Sequence, residues 1–161
     1  MSDWDVLVRI LVASALGGIV GIERELRDQP AGFRTHMLVA LGACLFTLVG
    51  AFGFQGLTGG QRVAANNADL TRVASQVVVG IGFLGGGTIL RHGATVRGLT
   101  TAASLWVTAA VGLAVGMGFF FGATATALLS VIALAGLKPI EKRFMRGVRQ
   151  EDEPPSSLPP D

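Results

Sequence analysis

Two glutamates on either side of an arginine, Glu23-Arg24-Glu25, form the chemically most suggestive motif of the chain. Charges at the ends of apolar stretches are mostly anchors at a membrane boundary, but acidic side chains contribute little to that role. The two carboxylates could pair with Arg34 or Arg91, or they could supply oxygen ligands to a hard cation. Mg²⁺ prefers oxygen ligands, keeps much of its water and often takes only one or two protein carboxylates. The spacing leaves both alternatives open.

A shared cation site at Glu23 and Glu25 sets a condition on the backbone. Residues two apart are rotated by about 200° on a helix, so an unbroken helix points the two carboxylates in different directions. They can share one ion only if the helix ends near Glu23, and Pro30 and Gly32 favour a turn soon afterwards. Under that condition we predict Glu23 and Glu25 as ligands of Mg²⁺, and we expect no other cofactor.

Other polar residues stand at the edges of apolar stretches. Arg72 and Gln76 are four apart and share one helix face, and Thr101, Ser104 and Thr108 form a second one-face set. Hydroxyl groups in apolar helices mostly serve as interhelical hydrogen-bond donors. The candidate polar cluster comprises Glu23, Arg24, Glu25, Arg34, Thr35, His36, Arg72, Gln76, Arg91, Thr100 and Thr101.

The residues that could support catalysis are isolated from one another in the sequence. Cys44 lies in the middle of an apolar stretch, where a cysteine usually acts as a small buried hydrophobe. His36 and His92 are not accompanied by a recognisable nucleophile. A lone cysteine also excludes a disulfide framework and a clustered thiolate zinc site. We therefore predict no catalytic residue and expect the chain not to be an enzyme.

The composition is that of a lipid-facing protein. Half of the 161 residues are hydrophobic and only 15% are charged, whereas soluble domains carry about 25% charged residues. These proportions argue strongly against a soluble enzyme. The formal net charge of +2 is too small to suggest nucleic acid as a partner. The expected partner is the lipid bilayer.

Stretches without charge define the elements that must position these residues. The forty residues between Arg97 and Lys138 carry no charge, and as a helix they would extend about 60 Å, twice a ~30 Å hydrocarbon core. This segment should therefore turn, at Gly116-Met117-Gly118. Because Arg9 interrupts the first stretch, four spans with an interfacial first segment are the alternative to five. We predict an all-α membrane protein, a bundle of about five transmembrane helices within residues 1–137, with spans near 6–22, 36–54, 73–90, 101–116 and 119–137.

The basic residues predict an orientation for this bundle. With five spans, ten Lys and Arg residues lie on one side and two, Arg62 and Arg72, on the other. The positive-inside rule then places the N-terminus outside and the C-terminus in the cytoplasm. Residues 138–150 have the spacing of a short basic amphipathic helix on an anionic membrane surface. Residues 151–161, rich in acid and proline, should be disordered.

Glycine is about twice as frequent as usual, with 23 residues against an expected ~7%. In lipid, small residues let helix backbones approach closely and gain dispersion energy. The run Gly85-Gly86-Gly87 fits either a tight helix crossing or a helix break, and we favour the crossing. Residues four apart share one helix face, and the pairs with this spacing are Gly17 and Gly21, Gly82 and Gly86, Gly112 and Gly116, and Gly118 and Gly122.

Four motifs in order resemble the MgtC/SapB family of bacterial inner-membrane proteins. They are GGIVGIERE (17–25), PAGFRTHMLVALGA (30–43), RVASQVVVGIGFLGGGTILR (72–91) and VRGLTTAASLWVTAAVGLAVG (96–116), and the likeness covers residues 6–137. The resemblance implies a helical inner-membrane domain linked to magnesium homeostasis and, in some pathogens, to virulence through growth in low magnesium and within host cells. The candidate polar cluster lies on these motifs. Several family members carry a soluble C-terminal domain, for which the residues after Lys138 leave no room.

Three functions from different classes follow from this reading. The first is a carrier or channel component for Mg²⁺. The second is a non-transporting regulator that packs against another inner-membrane protein, or a copy of itself, through its glycine faces. The third, a membrane enzyme, has the least support. No span carries an acidic residue at its centre, where ion pathways usually have one, but carbonyl oxygens or an oligomer interface can also build a pore. We expect a role in magnesium homeostasis, with transport and regulation both open.

Overall fold

The structure is a computed structural model that describes residues 1–52 and 67–149, with side chains described over 1–51 and 71–136. It confirms an all-α fold with five helices. A short two-stranded hairpin is the one element in this part of the chain that the sequence reading did not predict. The elements are α1 (Asp3–Glu25), α2 (Phe33–Phe52), α3 (Asn67–Gly87), β1 (Leu90–His92), β2 (Thr95–Arg97), α4 (Leu99–Gly116) and α5 (Phe120–Arg149).

Three of the described helices are long and apolar enough to cross a membrane, namely α1, residues 33–51 of α2, and α4. Among the described side chains, the apolar part of α5 is Phe120–Gly136, which is shorter. The helix α3, whose side chains are described from residue 71 onward, is not in this group. The chain therefore has the helices of a membrane protein, while crossings by α3 and α5 stay predictions.

The helix α4 forms the centre of the bundle and contacts each of the other four helices. It is apolar on all sides, which is typical of a helix buried in a protein core or in a membrane. One core cluster joins α1, α2, α4 and α5 around Val20, Cys44 and Val115. A second joins α2, α3 and α4 around Ile81 and Leu105. In consequence α3 packs at the edge of the bundle, mainly against α4 and α2.

Four of the predicted packing glycines lie at helix contacts. A Cβ atom on Gly17 would lie 2.6 Å from the Cβ of Ala40, and one on Gly21 would lie 2.7 Å from the Cα of Phe33, both across the α1–α2 interface. A Cβ on Gly112 or Gly116 would collide with α2 in the same way. Spacings below 3.0 Å leave no room for any side chain, so these helices meet backbone to backbone.

Gly82 and Gly86 differ from this prediction. A Cβ on either would meet no described atom within 4 Å, so they pack against none of the described helices. The reason is the position of α3 at the edge of the bundle, where Ile81 and Gly85 face inward instead. Four-residue spacing identifies a shared helix face, but it does not say which neighbour that face meets.

A hairpin links α3 to α4, inside the segment that the sequence assigned to helix and loop. The sequence predicted a span over residues 73–90, but the helix α3 ends at Gly87. The strands β1 and β2 then pair antiparallel, with Leu90 opposite Arg97. Gly93 in the turn has φ of +61°, and Gly98, which precedes α4, has φ of +88°. Glycine adopts these left-handed conformations without the steric cost that a side chain brings. At Gly98 a Cβ would also collide with the Thr88 carbonyl.

Arg9 stabilises the turn between α4 and α5 instead of interrupting α1. Its Nη1 donates to the Gly116 carbonyl at 2.5 Å, and its guanidinium lies 6.0 Å from the ring centroid of Phe120. The last carbonyls of a helix lack partners within the helix, and a guanidinium compensates both their hydrogen bonding and their partial negative charge. The turn itself contains Gly118 with φ of +84°.

The helix α5 continues without interruption across the predicted boundary at residue 137 and ends at Arg149. Residues 138–150 are thus largely a continuation of α5 rather than a separate helix. The faces of this segment lie outside the described side chains. The predicted tail, residues 151–161, lies outside the described residues altogether.

Candidate functional site

A buried ionic cluster closes the C-terminal end of α1. Glu23 is 8% exposed and Arg24 only 1%. The Nε of Arg24 donates to Oε2 of Glu23 at 2.9 Å, and the Nε of Arg27, one helical turn later, lies 2.6 Å from Oε1. Arg27 also donates to the Ala135 carbonyl at 3.0 Å and so ties α1 to α5. Oε2 of Glu23 thus accepts a hydrogen bond, whereas Oε1 lies in ion-pair contact with Arg27 but has no hydrogen-bond partner among the described residues.

This cluster carries an excess of positive charge. Two guanidinium groups face one carboxylate, and Nη1 of the buried Arg24 has no hydrogen-bond partner among the described residues. A divalent cation at Glu23 would lie beside both arginines and would be repelled by them. The arrangement is suited to holding the helix end in place, and buried pairs of this kind cost several kcal/mol when one partner is removed.

Glu25 points elsewhere, because α1 continues through both glutamates. Its Oε2 accepts a hydrogen bond of 2.7 Å from the backbone amide of Phe33, which satisfies a free N–H at the start of α2. The predicted Mg²⁺ site at Glu23 and Glu25 required the helix to end near Glu23, and that condition is not met. Within the described part of the chain, no group of three or more His, Cys, Asp and Glu residues is arranged to hold a metal ion.

His36 is fully buried at the meeting point of α2 and α4. Its Nδ1 lies 2.9 Å from the Gly32 carbonyl, and its Nε2 lies 3.1 Å from Oγ of Ser104. Because a carbonyl only accepts, Nδ1 donates to Gly32, while the single proton of the Ser104 hydroxyl is available to either Nε2 or the Thr101 carbonyl. That hydroxyl also lies 2.9 Å from the Thr101 carbonyl. Of the hydroxyl residues predicted to hydrogen-bond between helices, Ser104 thus contacts another helix, whereas Thr108 donates within α4 to the Ser104 carbonyl at 2.8 Å.

Four of the predicted residues line a groove of about 890 Å³ between α2 and α3. Arg34 and Thr35 contribute from the first turn of α2, and Arg72 and Gln76 contribute from α3. Neither guanidinium group has a hydrogen bond or ion pair with a described residue. The predicted pairing of Arg34 with a glutamate is therefore absent from the described contacts. The rest of the wall is apolar and includes Leu38, Gly42, Phe46, Gly80 and Leu84.

The remaining predicted residues lie apart from the glutamates. Arg91 is exposed on β1, and its Nε donates to the Gly93 carbonyl at 2.9 Å. Thr100 is exposed, whereas Thr101 is buried at 1% exposure beneath the His36 contact. The predicted cluster thus divides into a buried network, a groove and a surface hairpin.

Sequence reasoning missed Arg27 as a member of the site. Its spacing of four residues from Glu23 is the signal that could have identified it, because residues i and i+4 are neighbours on one helix face. The prediction of a turn after Glu23 removed that possibility.

Comparison with known proteins identifies the family. The sequence profile of the MgtC family matches residues 10–143. The chain belongs to the MgtC family. The resemblance inferred from the four motifs is thereby confirmed. No solved structure matches the chain.

Named relatives give the same assignment. The chain is 43% identical over 128 residues to "Protein MgtC" of Brucella abortus, covering 80% of this chain and 49% of the relative. It is 41% identical over 114 residues to "Putative magnesium transporter YhiD" of Escherichia coli, covering 71% and 52%. An uncharacterized Synechocystis protein is 42% identical over 139 residues, covering 86% and 55%. The chain spans about half the length of the curated relatives it matches.

Proposed function

We propose that this MgtC family chain acts in magnesium homeostasis as a non-transporting regulator in the bacterial inner membrane. Membership of the family and the names of the Brucella and Escherichia relatives support the link to magnesium. The apolar helices support a place in the membrane. The proposal assigns no enzymatic activity to the chain, and it takes another inner-membrane protein or a second copy as the partner.

One observation favours regulation over transport. Each carboxylate oxygen of Glu23, the buried acidic residue of the candidate site, lies in ion-pair contact with an arginine, Oε2 with Arg24 and Oε1 with Arg27. A cation pathway through this point would have to break both ion pairs and pass two positive charges. Glu25 is likewise engaged as the cap of α2. The two carboxylates thus stabilise the bundle. Under the proposal, the chain transmits its response to magnesium through contact with a partner protein.

Transport of Mg²⁺ is the second candidate, favoured by the name of the Escherichia relative, a putative magnesium transporter. The two functions differ in what the protein does alone. We expect liposomes that hold only this protein to show the same Mg²⁺ uptake as protein-free liposomes, measured with an enclosed magnesium indicator. Saturable uptake above that background would establish transport and refute the regulatory proposal.

The link to magnesium itself is tested in cells. A strain that lacks this protein should grow more slowly when Mg²⁺ is limiting, and a plasmid copy should restore growth. Glu23→Gln separates the two roles, because the amide keeps the shape of the side chain and removes its charge. Under the regulatory proposal, a strain with Glu23→Gln grows more slowly only to the extent that its level of this protein is reduced. Lost growth at a normal protein level would instead assign Glu23 a direct role toward the cation.

A further inference from the structure

The groove between α2 and α3 combines an apolar wall with a cationic residue at each end. Gly50 of α2 lies against Val73 of α3, since a Cβ on Gly50 would lie 2.7 Å from a methyl carbon of Val73. Arg72 is therefore level with Gly50. Arg34 lies sixteen residues earlier on α2, which corresponds to about 24 Å along the helix axis. The two guanidinium groups thus lie toward opposite faces of a hydrocarbon core about 30 Å thick.

The part of the apolar wall that begins at Arg34 is about as long as one leaflet. From Arg34 to Phe46 the wall extends about 18 Å along α2, and half of the hydrocarbon core is about 15 Å. Gly42 and Gly80 leave the groove open, because a Cβ on either would meet no described atom within 4 Å. Its volume of about 890 Å³ is within the ~300–1,000 Å³ of ordinary ligand pockets.

The charge of the groove selects among possible occupants. Helix α2 and residues 71–97 contain arginines and no Asp or Glu, and the acidic residue of α3, Asp69, precedes Arg72 by one turn at the end of the groove away from Arg34. At the Arg34 end, a second copy that docked by the same surface would therefore bring guanidinium groups together without a carboxylate from either groove, since two-fold contacts match a surface with itself. An apolar partner helix would fill the wall but leave Arg34 without a counter-charge. A phospholipid with an anionic headgroup fits both parts of the groove, because its acyl chain can cover the apolar wall and its phosphate can pair with Arg34.

We propose that the α2–α3 groove is a binding site for an anionic phospholipid. Its phosphate pairs with the Arg34 guanidinium beside the Thr35 hydroxyl, and an acyl chain lies along the wall past Gly42 and Gly80. Guanidinium and phosphate form charge-assisted, often bidentate, hydrogen bonds, and cationic pockets between membrane helices are suited to lipid headgroups. This inference does not depend on whether the protein transports or regulates.

The headgroup contact is tested with Arg34→Gln in detergent-solubilised protein. The affinity is read from the rise in unfolding temperature as phosphatidylglycerol or phosphatidylcholine is added. We expect the parent protein to prefer phosphatidylglycerol, and Arg34→Gln to bind it about fivefold more weakly, the effect of one arginine near an anionic surface. Arg34→Lys should retain most of the preference. Arg97→Gln, on the exposed β2 strand outside the groove, serves as the control and should match the parent.

The acyl-chain contact is tested with a matched pair on one helix. Gly80 lines the groove and Gly82 does not, yet both have open space where a side chain would begin. We expect Gly80→Leu to reduce the amount of co-purified phospholipid counted by native mass spectrometry, and Gly82→Leu to leave it unchanged. Gly42→Leu fills the groove from the opposite wall and should act like Gly80→Leu.

Two results would overturn the proposal. The first is an unchanged preference for phosphatidylglycerol in Arg34→Gln. The second is a loss of oligomer in Gly80→Leu and Gly42→Leu while their phospholipid content stays that of the parent, because this would make the groove a protein interface. Both measurements are independent of Mg²⁺ flux and of growth.

Discussion

Glu23→Gln is the substitution that most directly tests the buried ionic cluster. The carboxylate is 8% exposed and lies against the Nε atoms of Arg24, which is 1% exposed, and Arg27, which is 30% exposed. Arg27 can turn toward solvent when the charge is removed, but Arg24 stays buried without a counter-charge. Removal of one partner from a buried pair costs about 3–5 kcal/mol. That loss is a large share of a typical 5–15 kcal/mol total.

Glu25→Gln is the matched control, two residues away on the same helix. Glu25 is exposed and accepts one hydrogen bond from the Phe33 amide, which a glutamine oxygen can also accept, so its replacement should cost only about 0.3–1 kcal/mol, the effect of a charge at a helix N-terminus. The free energy of unfolding is measured by denaturant titration of both variants in the same detergent. Equal losses in the two variants, or a loss below 1 kcal/mol for Glu23→Gln, would refute the buried-pair reasoning.

A double substitution isolates the origin of the loss. Glu23→Gln combined with Arg24→Met removes both charges, and an apolar replacement of a buried pair is often close to neutral. The double variant should therefore be more stable than Glu23→Gln alone. If the loss in the double variant equals the sum of the losses in Glu23→Gln and Arg24→Met, the two side chains are not coupled and the ion pair does not stabilise the helix end.

Three further predictions follow from the packing and the charge pattern. Gly112→Leu should lower the yield and reduce the free energy of unfolding by about 1–3 kcal/mol, because it overpacks the α2–α4 contact. Gly86→Leu should change neither quantity. Equal thermal stability of the two variants would contradict this prediction. Arg9→Met leaves the Gly116 carbonyl unpaired and should cost about 1–3 kcal/mol in the same assay, and a stability equal to the parent's would rule out the capping role. Reporters fused at Asn66 and after Arg149 should read external and cytoplasmic, and reports from the same side would make the span count wrong by one.

The number and approximate positions of the helices could be predicted from the sequence because they depend on local pattern. Charge-free length sets how far a helix can extend in lipid, and glycine near Gly116 marks where the chain turns. The family resemblance has the same character, since it rests on consecutive residues. The hairpin escaped prediction because three-residue strands such as Leu90–His92 leave no periodicity to detect.

The partners of the polar residues were decided by the tertiary structure. Glu23 could have met Arg34 or Arg91, and a difference of one helical turn at the end of α1 gave it Arg24 and Arg27 instead. The glycine pairs look alike in sequence, yet Gly112 meets α2 while Gly82 meets open space, because only α4 is surrounded by the other helices. A side chain's helix face is a local property with a period of 3.6 residues. Which neighbour occupies that face depends on the packing of the whole bundle, and one sequence window does not contain that information.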